Sequence, residues 1–292
     1  MAVIIDSHAH YNNNAYKNTF RYLTCSEEGY ALREGDREQL FQALQEANIP
    51  CSIEPGVNLA SCEEILQLSA QCPGRIFPAM GVHPTRAIFE SWSDRHRLAA
   101  LAHTPGVVAI GETGLDYHFP RKEQHRLKQH IWFLYQLNLA RKKNLPVILH
   151  VRQAHEDALR ILKMHPARKL GGVIHCFYGT KALAQQYLKL GYHIGIGGSL
   201  LQQADRAGDL WEAVAQIPLD RILLETDAPY ILPYCKDVIA PKQLRRARNT
   251  SLILPAVIEK IAQLKGISPA EVEQATAENA IRLFRLSVTD RE

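Results

Sequence analysis

The sequence predicts an α/β fold, a parallel (β/α)8 barrel that forms a single domain over residues 1–292. Short runs rich in β-branched residues alternate with amphipathic helical segments along most of the chain. Barrels of this class commonly use about 250 residues as one domain, which fits a chain of 292 residues. The main alternative, an open doubly wound sheet, usually has a glycine-rich loop after its first strand, whereas here that strand ends in His8 and His10.

Eight strands are predicted from the apolar runs. The first, Val3-Ile4-Ile5, is β-branched throughout and therefore favours a buried strand. With it, the predicted strands cover residues 3–5, 51–57, 75–83, 106–111, 146–150, 171–176, 192–197 and 221–227.

Helices are predicted between these strands from apolar residues spaced by three and four. They cover residues 37–48, 62–70, 94–102, 122–143, 155–165, 180–190, 209–216 and 251–265, and a last helix follows Ser268. Ser268 as N-cap, Pro269 at the first position and Glu271 form a capping-box signature. The apolar face predicted for the longest helix consists of Leu127, Ile131, Leu134, Tyr135 and Asn138.

Residues 11–35 show no period and predict an atypical loop insertion after the first strand. Loops that follow barrel strands lie on the catalytic face, so we expect a wall or lid at the mouth of the site. Tyrosines and basic residues of the kind found here stack on unpaired bases and neutralise phosphates. The alternative is that the tyrosines pack the loop against the barrel or lie in a dimer interface. The residues in question are Tyr11, Tyr16, Lys17, Arg21, Tyr22, Tyr30 and Arg33.

The composition, 46% hydrophobic and 22% charged, is that of a globular protein. A formal net charge of +4 permits contact with polyanions but is not typical of a constitutive nucleic-acid coat. The six cysteines contain no C-x-x-C pair and are expected to be free thiols in a reducing compartment. No secretory signal pattern and no apolar window of 18 residues occur, so we expect a cytoplasmic protein without a membrane partner. No obligate protein partner is evident.

Potential metal ligands stand at the ends of most predicted strands, where barrel enzymes place their active sites. His8 and His10 are two residues apart on a strand, so both side chains point to one face. Each residue alone could be a satisfied core or solvated side chain, but together they indicate a divalent-metal site. The strand-end residues are His8, His10, Glu54, His83, Glu112, His150, His175 and Asp227.

The number of candidate ligands predicts two ions. Four histidines with Glu112 and Asp227 exceed the three protein ligands typical of one catalytic Zn²⁺. A carboxylate can bridge two ions about 3.5–4 Å apart. Glu112, on the central fourth strand, is the candidate bridge, and the ions could be Mg²⁺, Mn²⁺ or Zn²⁺.

Six motifs carry a resemblance to a known family: IIDSHAH near the start, GVHP at 81–84, GETGLDY at 111–117, PVILHVR at 146–152, HCF at 175–177 and ETDAPY at 225–230. Together they resemble the TatD family of metal-dependent deoxyribonucleases, within the amidohydrolase-like barrels. The sequence departs from this family in the length of 11–35 and in Tyr178, where a small residue commonly follows the Phe.

The resemblance implies a divalent-metal hydrolase that cleaves DNA phosphodiesters, with single-stranded or frayed ends as substrate. It implies that one ion is held by His8, His10, Glu112 and Asp227, and the other by Glu112, His150 and His175. His83 would then contact the substrate phosphate.

In the expected mechanism the two ions activate a shared water, and the catalytic residues are Asp227, which orients the water and accepts its proton, and Glu112. Arg152, two residues beyond His150, could hold a phosphate or form a surface salt bridge. The first rival is an amide or ester hydrolase on the same barrel, where a modified lysine often bridges the metals in place of Glu112. The second is a non-catalytic, metal-stabilised nucleic-acid-binding protein.

Overall fold

The computed structural model describes residues 3–26, 29–118 and 123–287. Its strands are β1 (Ile5–Asp6), β2 (Phe20–Ser26), β3 (Gly29–Gly35), β4 (Cys51–Pro55), β5 (Ile76–Met80), β6 (Ala109–Asp116), β7 (Val147–Arg152), β8 (Gly172–Ile174), β9 (His193–Ile196), β10 (Ile222–Leu224) and β11 (Ala247–Arg248).

Its α-helices are α1 (Arg37–Glu46), α2 (Leu59–Gln71), α3 (Pro84–Ala87), α4 (Arg95–Leu101), α5 (Glu123–Lys143), α6 (His155–Met164), α7 (Lys181–Lys189), α8 (Ala204–Gln216), α9 (Pro241–Leu244), α10 (Leu254–Lys265) and α11 (Pro269–Phe284). Short 3-10 turns cover Asn14–Tyr16, Trp92–Asp94, Pro166–Leu170, Gly198–Leu201, Leu219–Arg221 and Ser251–Ile253.

Eight strands form one sheet in the order β1-β4-β5-β6-β7-β8-β9-β10. The pairs β1–β4, β5–β6, β6–β7, β7–β8 and β8–β9 are parallel. The backbone after β1 also lies beside the end of β10, because Ser7 N donates to Leu224 O at 2.8 Å and Ala9 forms a parallel bridge with Ala228. This alternation of parallel strands and helices confirms the predicted (β/α)8 class.

The chain divides into two compact units, and each contains its own buried apolar residues. The first comprises Met1–Ser52, Cys176–Gln185 and Gly195–Ala280, and Leu23, Leu40 and Ile253 lie in its core. The second comprises Ile53–His175, Gln186–Ile194 and Ile281–Glu292, and Ile110, Phe133 and Leu149 lie in its core.

The start of α11 is a capping box, as the sequence predicted. Ser268 Oγ accepts from Glu271 N at 3.3 Å, and Ser268 N donates to Glu271 Oε2 at 2.9 Å. The preceding helix ends at Gly266, whose φ of 67° is the left-handed conformation typical of a residue that follows a helix. Other boundaries shift: α8 begins at Ala204 instead of residue 209, and a 3-10 turn precedes α10.

The prediction of a loop over residues 11–35 is wrong for Phe20–Ser26 and Gly29–Gly35, and residues 27 and 28 lie outside the described residues. β2 and β3 form an antiparallel hairpin, with Phe20 paired to Gly35, and β11 adds a parallel third strand. The burial of Phe20, Tyr22, Leu23 and Thr24 breaks the alternation of a half-buried strand. Because consecutive side chains of this strand are buried, it has no two-residue period by which the sequence could reveal it.

The expectation that the tyrosines of this segment stack on nucleobases is wrong for Tyr11, Tyr16 and Tyr22, because all three are buried. Tyr11 Oη lies 2.7 Å from Ser251 Oγ, and Tyr16 Oη donates to Asn249 O at 2.5 Å. The alternative interpretation, in which these tyrosines pack the segment against the rest of the protein, is correct for them. A lid function for the segment stays a prediction.

The predicted apolar face of α5 is also wrong, and residue 122, its expected start, lies outside the described residues. Leu127, Ile131 and Leu134 are 61%, 41% and 41% exposed, whereas Trp132 and Phe133 are buried. The helix carries apolar residues on more than one side, so their spacing does not define one face. Its buried side also includes two glutamines whose side chains bond to backbone groups of other elements, Gln129 to Asp116 and Gln136 to Val82.

All six cysteines are free thiols, as expected. Within the described ranges, no helix combines the length and the apolar character needed to span a membrane.

Candidate metal centre

A first cluster, formed by His8, His10 and Asp227, lies in the first unit. The Nε2 atoms of the two histidines are 3.2 Å apart. Asp227 Oδ1 lies 3.5 Å from His8 Nε2 and 3.4 Å from His10 Nε2. Both imidazoles are buried, and the Asp227 side chain is 17% exposed, so solvent reaches the cluster from the side of the carboxylate.

Backbone pairing places these three side chains together. His8 O accepts from Asp227 N at 2.9 Å, and His10 N donates to Ala228 O at 2.8 Å. The chain after β1 therefore runs beside the chain after β10. Asp227 has a φ of 53°, a left-handed conformation that Asp and Asn adopt more readily than most residues. This local turn directs the carboxylate to the two imidazoles.

A buried carboxylate, Asp6, connects the same two segments. Its Oδ1 accepts from His8 N and Thr226 N, each at 3.1 Å. Its Oδ2 accepts from Thr226 Oγ1 and Ser251 Oγ, each at 2.6 Å. Burial raises the pKa of Asp6 to about 6 against the opposing effect of these hydrogen bonds. The four contacts hold the backbone that carries the first cluster.

A second cluster, formed by His83, Glu112, His150 and His175, lies in the second unit. Glu112 Oε1 is its centre, at 2.7 Å from His175 Nε2, 2.9 Å from His150 Nδ1 and 3.4 Å from His83 Nε2. Glu112 lies on β6 and His150 on β7, while His83 precedes α3 and His175 directly follows β8. Each side chain thus comes from a different strand or from the loop that follows it, with Glu112 and His150 inside their strands.

Hydrogen bonds on the outer side of His150 define which of its nitrogens faces the cluster. His150 Nε2 lies 3.0 Å from Asp116 Oδ2, and because a carboxylate can only accept, Nε2 is the donor of this bond. A neutral imidazole has a proton on one nitrogen only, so Nδ1 then has none. Asp116 is itself held by Gln129, which bonds to both its backbone N and its backbone O at 2.9 Å. Nδ1 and Glu112 Oε1 are then two acceptors 2.9 Å apart, an arrangement that requires a proton or a cation.

His83 is oriented the opposite way. Its Nδ1 accepts from Thr85 N at 3.1 Å, so the proton of the neutral ring is on Nε2. Burial lowers the pKa of His83, which favours this neutral form. The ring therefore presents a hydrogen-bond donor, and not a lone pair, to the cluster.

The charge balance of the second cluster favours a cation. Although burial opposes it, His175, His83 and His150 hold the pKa of Glu112 well below its ordinary value. Burial lowers the pKa of His150, but the hydrogen bonds to Asp116 and Glu112 outweigh it and raise the pKa. The carboxylates of Glu112 and Asp116 therefore favour a positive charge on the His150 ring, and a metal ion bound at Nδ1 could supply that charge in place of a proton.

The donor atoms of both clusters are of the types that bind divalent metals, and in the first cluster their spacing fits as well. Histidine nitrogens and carboxylate oxygens about 2.0–2.2 Å from a tetrahedral ion are about 3.3–3.5 Å from one another. The separations of 3.2, 3.4 and 3.5 Å in the first cluster agree with this. In the second cluster the separations are shorter, at 2.7 and 2.9 Å from Glu112 Oε1 to His175 Nε2 and His150 Nδ1 and 3.1 Å between these nitrogens, so the side chains would have to move apart to hold an ion.

Comparison with known proteins decides the family. The family model described as TatD related DNase matches residues 5–285. The chain belongs to this family. The resemblance read from the six sequence motifs is therefore confirmed.

Individual relatives agree with this family assignment. The chain is 38% identical over 253 residues to "3'-5' ssDNA/RNA exonuclease TatD" of Erwinia tasmaniensis, and the matched region covers 86% of this chain and 94% of that protein. It is 31% identical over 285 residues to "Uncharacterized metal-dependent hydrolase YabD" of Bacillus subtilis, covering 98% and 100%. Among solved structures, the TatD homologue YjjV of Escherichia coli K12 matches with a TM-score of 0.81 and 28% identity, covering 97% and 98%.

The structure brings the six sequence-predicted ligands of this TatD chain into two groups of three, with His8, His10 and Asp227 in one and Glu112, His150 and His175 in the other. His83, predicted to contact substrate, lies in the second cluster. Arg152 is the exposed last residue of β7. The metal, catalytic and substrate roles of these residues stay predictions.

Sequence reasoning missed Asp6 and Asp116, although a signal for both was available. Asp6, His8 and His10 alternate, so a strand would place them on one face, and the same holds for Glu112 and Asp116 four residues apart. Metal-ligating histidines commonly donate a hydrogen bond to a carboxylate that does not itself bind the metal. An Asp or Glu two or four residues from a ligand on the same strand is a candidate for that carboxylate.

Proposed function

We propose that the protein is a divalent-metal-dependent nuclease that hydrolyses phosphodiester bonds in single-stranded nucleic acid. The observation that carries this proposal is the presence of two clusters of histidine and carboxylate donors at strand ends. Family membership supports the hydrolase class. The printed name of a 38% identical relative, a ssDNA/RNA exonuclease, supports the substrate.

In this proposal each cluster holds one divalent ion, Mg²⁺, Mn²⁺ or Zn²⁺. His8, His10 and Asp227 would hold the first, and Glu112, His150 and His175 the second. When bound, such ions lower the pKa of a coordinated water and stabilise charge on phosphoryl oxygens. The bridging role of Glu112 stays a prediction.

The side chains contribute orientation and proton transfer. Asp227 is the partly exposed carboxylate of the first cluster, which suits it to orient the attacking water and accept its proton. His83 Nε2 carries a proton and suits hydrogen bonding to a phosphate oxygen of the substrate. Asp116 orients His150 and does not itself contact the reacting atoms. Arg152 would hold a phosphate by paired hydrogen bonds.

The competing hydrolase hypothesis, an amide or ester hydrolase on the same barrel, is tested by comparing substrates. Purified protein loaded with Mg²⁺, Mn²⁺ or Zn²⁺ is assayed on a chromogenic phosphodiester, a carboxylic ester and an amide of matched leaving group. We expect turnover of the phosphodiester that EDTA abolishes and that His8→Ala and His150→Ala each reduce strongly. Preferred turnover of the ester or amide would support the rival, and no turnover on any substrate would support a non-catalytic binding protein.

A further inference from the structure

A basic pocket borders the β2–β3 hairpin in the first unit, and none of its lining residues belongs to either cluster. Its volume is about 470 Å³. Four arginines line it, Arg21, Arg245, Arg246 and Arg248, against one acidic residue, Glu34. Four positive groups and one negative group leave a formal charge of +3. Asn18 and Thr19 add hydrogen-bonding side chains to the same wall.

The charge in the pocket is not neutralised by the protein. Arg21 Nε pairs with Glu34 Oε2 at 3.0 Å. In the part of the chain that the structure describes, no ion pair involves Arg245, Arg246 or Arg248. Arg248 Nε is buried and has no hydrogen-bond partner among those residues. A buried donor on a charged group is costly unless an acceptor reaches it. The pocket therefore suits an anion with several oxygens.

A short path connects this pocket to the first cluster. Asn14 and Ala15 line the pocket and follow His10 by four and five residues, so the Cα atoms of His10 and Asn14 are at most about 15 Å apart. Tyr230, which is 54% exposed, lies beside this segment and contacts both His10 and Asn13. Its ring centroid is 6.3 Å from that of His10, and its Oη accepts from Asn13 Nδ2 at 3.1 Å.

We propose that this pocket binds the phosphodiester backbone of a single-stranded nucleic acid a few nucleotides from the bond that is cleaved, and that Tyr230 stacks on a base in between. The proposal rests on the proposed nuclease function. Guanidinium groups bind phosphate oxygens in pairs, and an exposed aromatic ring beside a positive groove is the usual arrangement for a single strand. A path of at most about 15 Å spans at most about four nucleotides, even at the compact per-strand rise of about 3.4 Å found in duplex DNA.

The test measures binding separately from turnover. A fluorescently labelled single-stranded 12-mer is titrated with the full-length protein in EDTA, and fluorescence anisotropy gives Kd at several salt concentrations. The pocket variant is Arg245→Ala with Arg246→Ala, two exposed positions. The matched control is Arg141→Ala with Lys142→Ala. These two residues are exposed on α5, and their substitution removes the same amount of positive charge at another place on the protein. Turnover of a small chromogenic phosphodiester is measured for all three proteins.

We expect the pocket variant to weaken 12-mer binding about tenfold or more and to lower the slope of log K against log salt by about 1.4, the effect of two lost phosphate contacts. The control should retain the wild-type Kd, and turnover of the small phosphodiester should be equal in all three. Tyr230→Ala should weaken binding of the 12-mer as well, by about fivefold or more.

Equal losses in the pocket variant and the control would overturn the proposal, since only total charge would matter. Unchanged 12-mer binding in the pocket variant would also overturn the proposal. This outcome would still overturn it if the arginines bound inorganic phosphate, because the pocket would then not contact the nucleic acid. If the pocket variant loses 12-mer binding while wild type fails to cleave any phosphodiester, the binding site is supported and the proposed nuclease function fails.

Discussion

His150 Nε2 lies 3.0 Å from Asp116 Oδ2, on the side of the imidazole ring that faces away from Glu112. This hydrogen bond selects the tautomer in which Nδ1 has a lone pair directed at the second cluster. Metal-bound histidines commonly donate their other N–H to a carboxylate in this way. The relationship makes Asp116 a positioning residue whose removal should act through the metal.

Asp116→Ala should weaken binding of Mn²⁺ to the second cluster about 10–100-fold, the usual effect of losing such a partner. Asp116→Asn should have a smaller effect, because an amide oxygen can still accept from Nε2. Calorimetric titration with Mn²⁺ measures the affinity, and kcat at saturating Mn²⁺ should recover towards wild type. If kcat stays low in Asp116→Ala at saturating metal, Asp116 has a role beyond positioning.

Asp227→Asn should largely remove turnover, by more than about 100-fold in kcat, while the fold is retained. Asn keeps the shape of the side chain and tolerates the φ of 53° found at this position. It loses the negative charge and the capacity to accept a proton. Turnover is measured across a wide range of metal concentrations with circular dichroism as the control for folding. Rescue at high metal would assign Asp227 as a ligand only, and near wild-type kcat would exclude it as the base.

Asp6→Ala should lower the free energy of unfolding by about 3 kcal/mol, because four donors would lose their buried acceptor. Urea unfolding gives this value. Ser251→Ala is the milder comparison, since it removes one of these contacts to Asp6 and should cost about 1 kcal/mol. A loss in Asp6→Ala no larger than that in Ser251→Ala would show that the carboxylate does not hold the two segments together.

Tyr16→Ala should destabilise the protein by about 3 kcal/mol, because the side chain is buried against Tyr11 and Phe20. Tyr16→Phe should cost about 1 kcal/mol, the value of its hydrogen bond to Asn249 O. Lys17→Ala, at the exposed neighbouring position, should change stability by less than about 0.5 kcal/mol. If Tyr16→Ala left stability unaltered and weakened oligonucleotide binding, the result would support stacking of Tyr16 on a nucleobase, as the sequence predicted.

The barrel and the two clusters could be predicted because their signals are local. The two-residue spacing of His8 and His10 predicted that their side chains share a face, although β1 itself ends at Asp6, and Asp227 ends the last predicted strand. Parallel strands bring their ends to one edge, so the sequence indicated that these residues lie together, whereas their division between two ions came from the resemblance to the TatD family.

The remaining features depend on distant contacts. Phe20 to Ser26 forms a strand through pairing with β3 and with β11, which lies more than 200 residues further along the chain. The buried face of α5 includes Gln129 and Gln136, whose polar side chains bond to backbone groups of other segments. Hydropathy cannot identify a buried glutamine whose partner is unknown, which is why the predicted stripe was the exposed one.

The central claim is that two separate clusters each hold one divalent ion. It is tested most directly by counting bound Mn²⁺ at saturation, by elemental analysis, in wild type, His10→Ala, His150→Ala and the double variant. We predict two equivalents in wild type, one in each single variant and none in the double variant. A wild-type protein that never binds more than one equivalent in excess metal, or a double variant that binds as much as the single variants, would contradict the account.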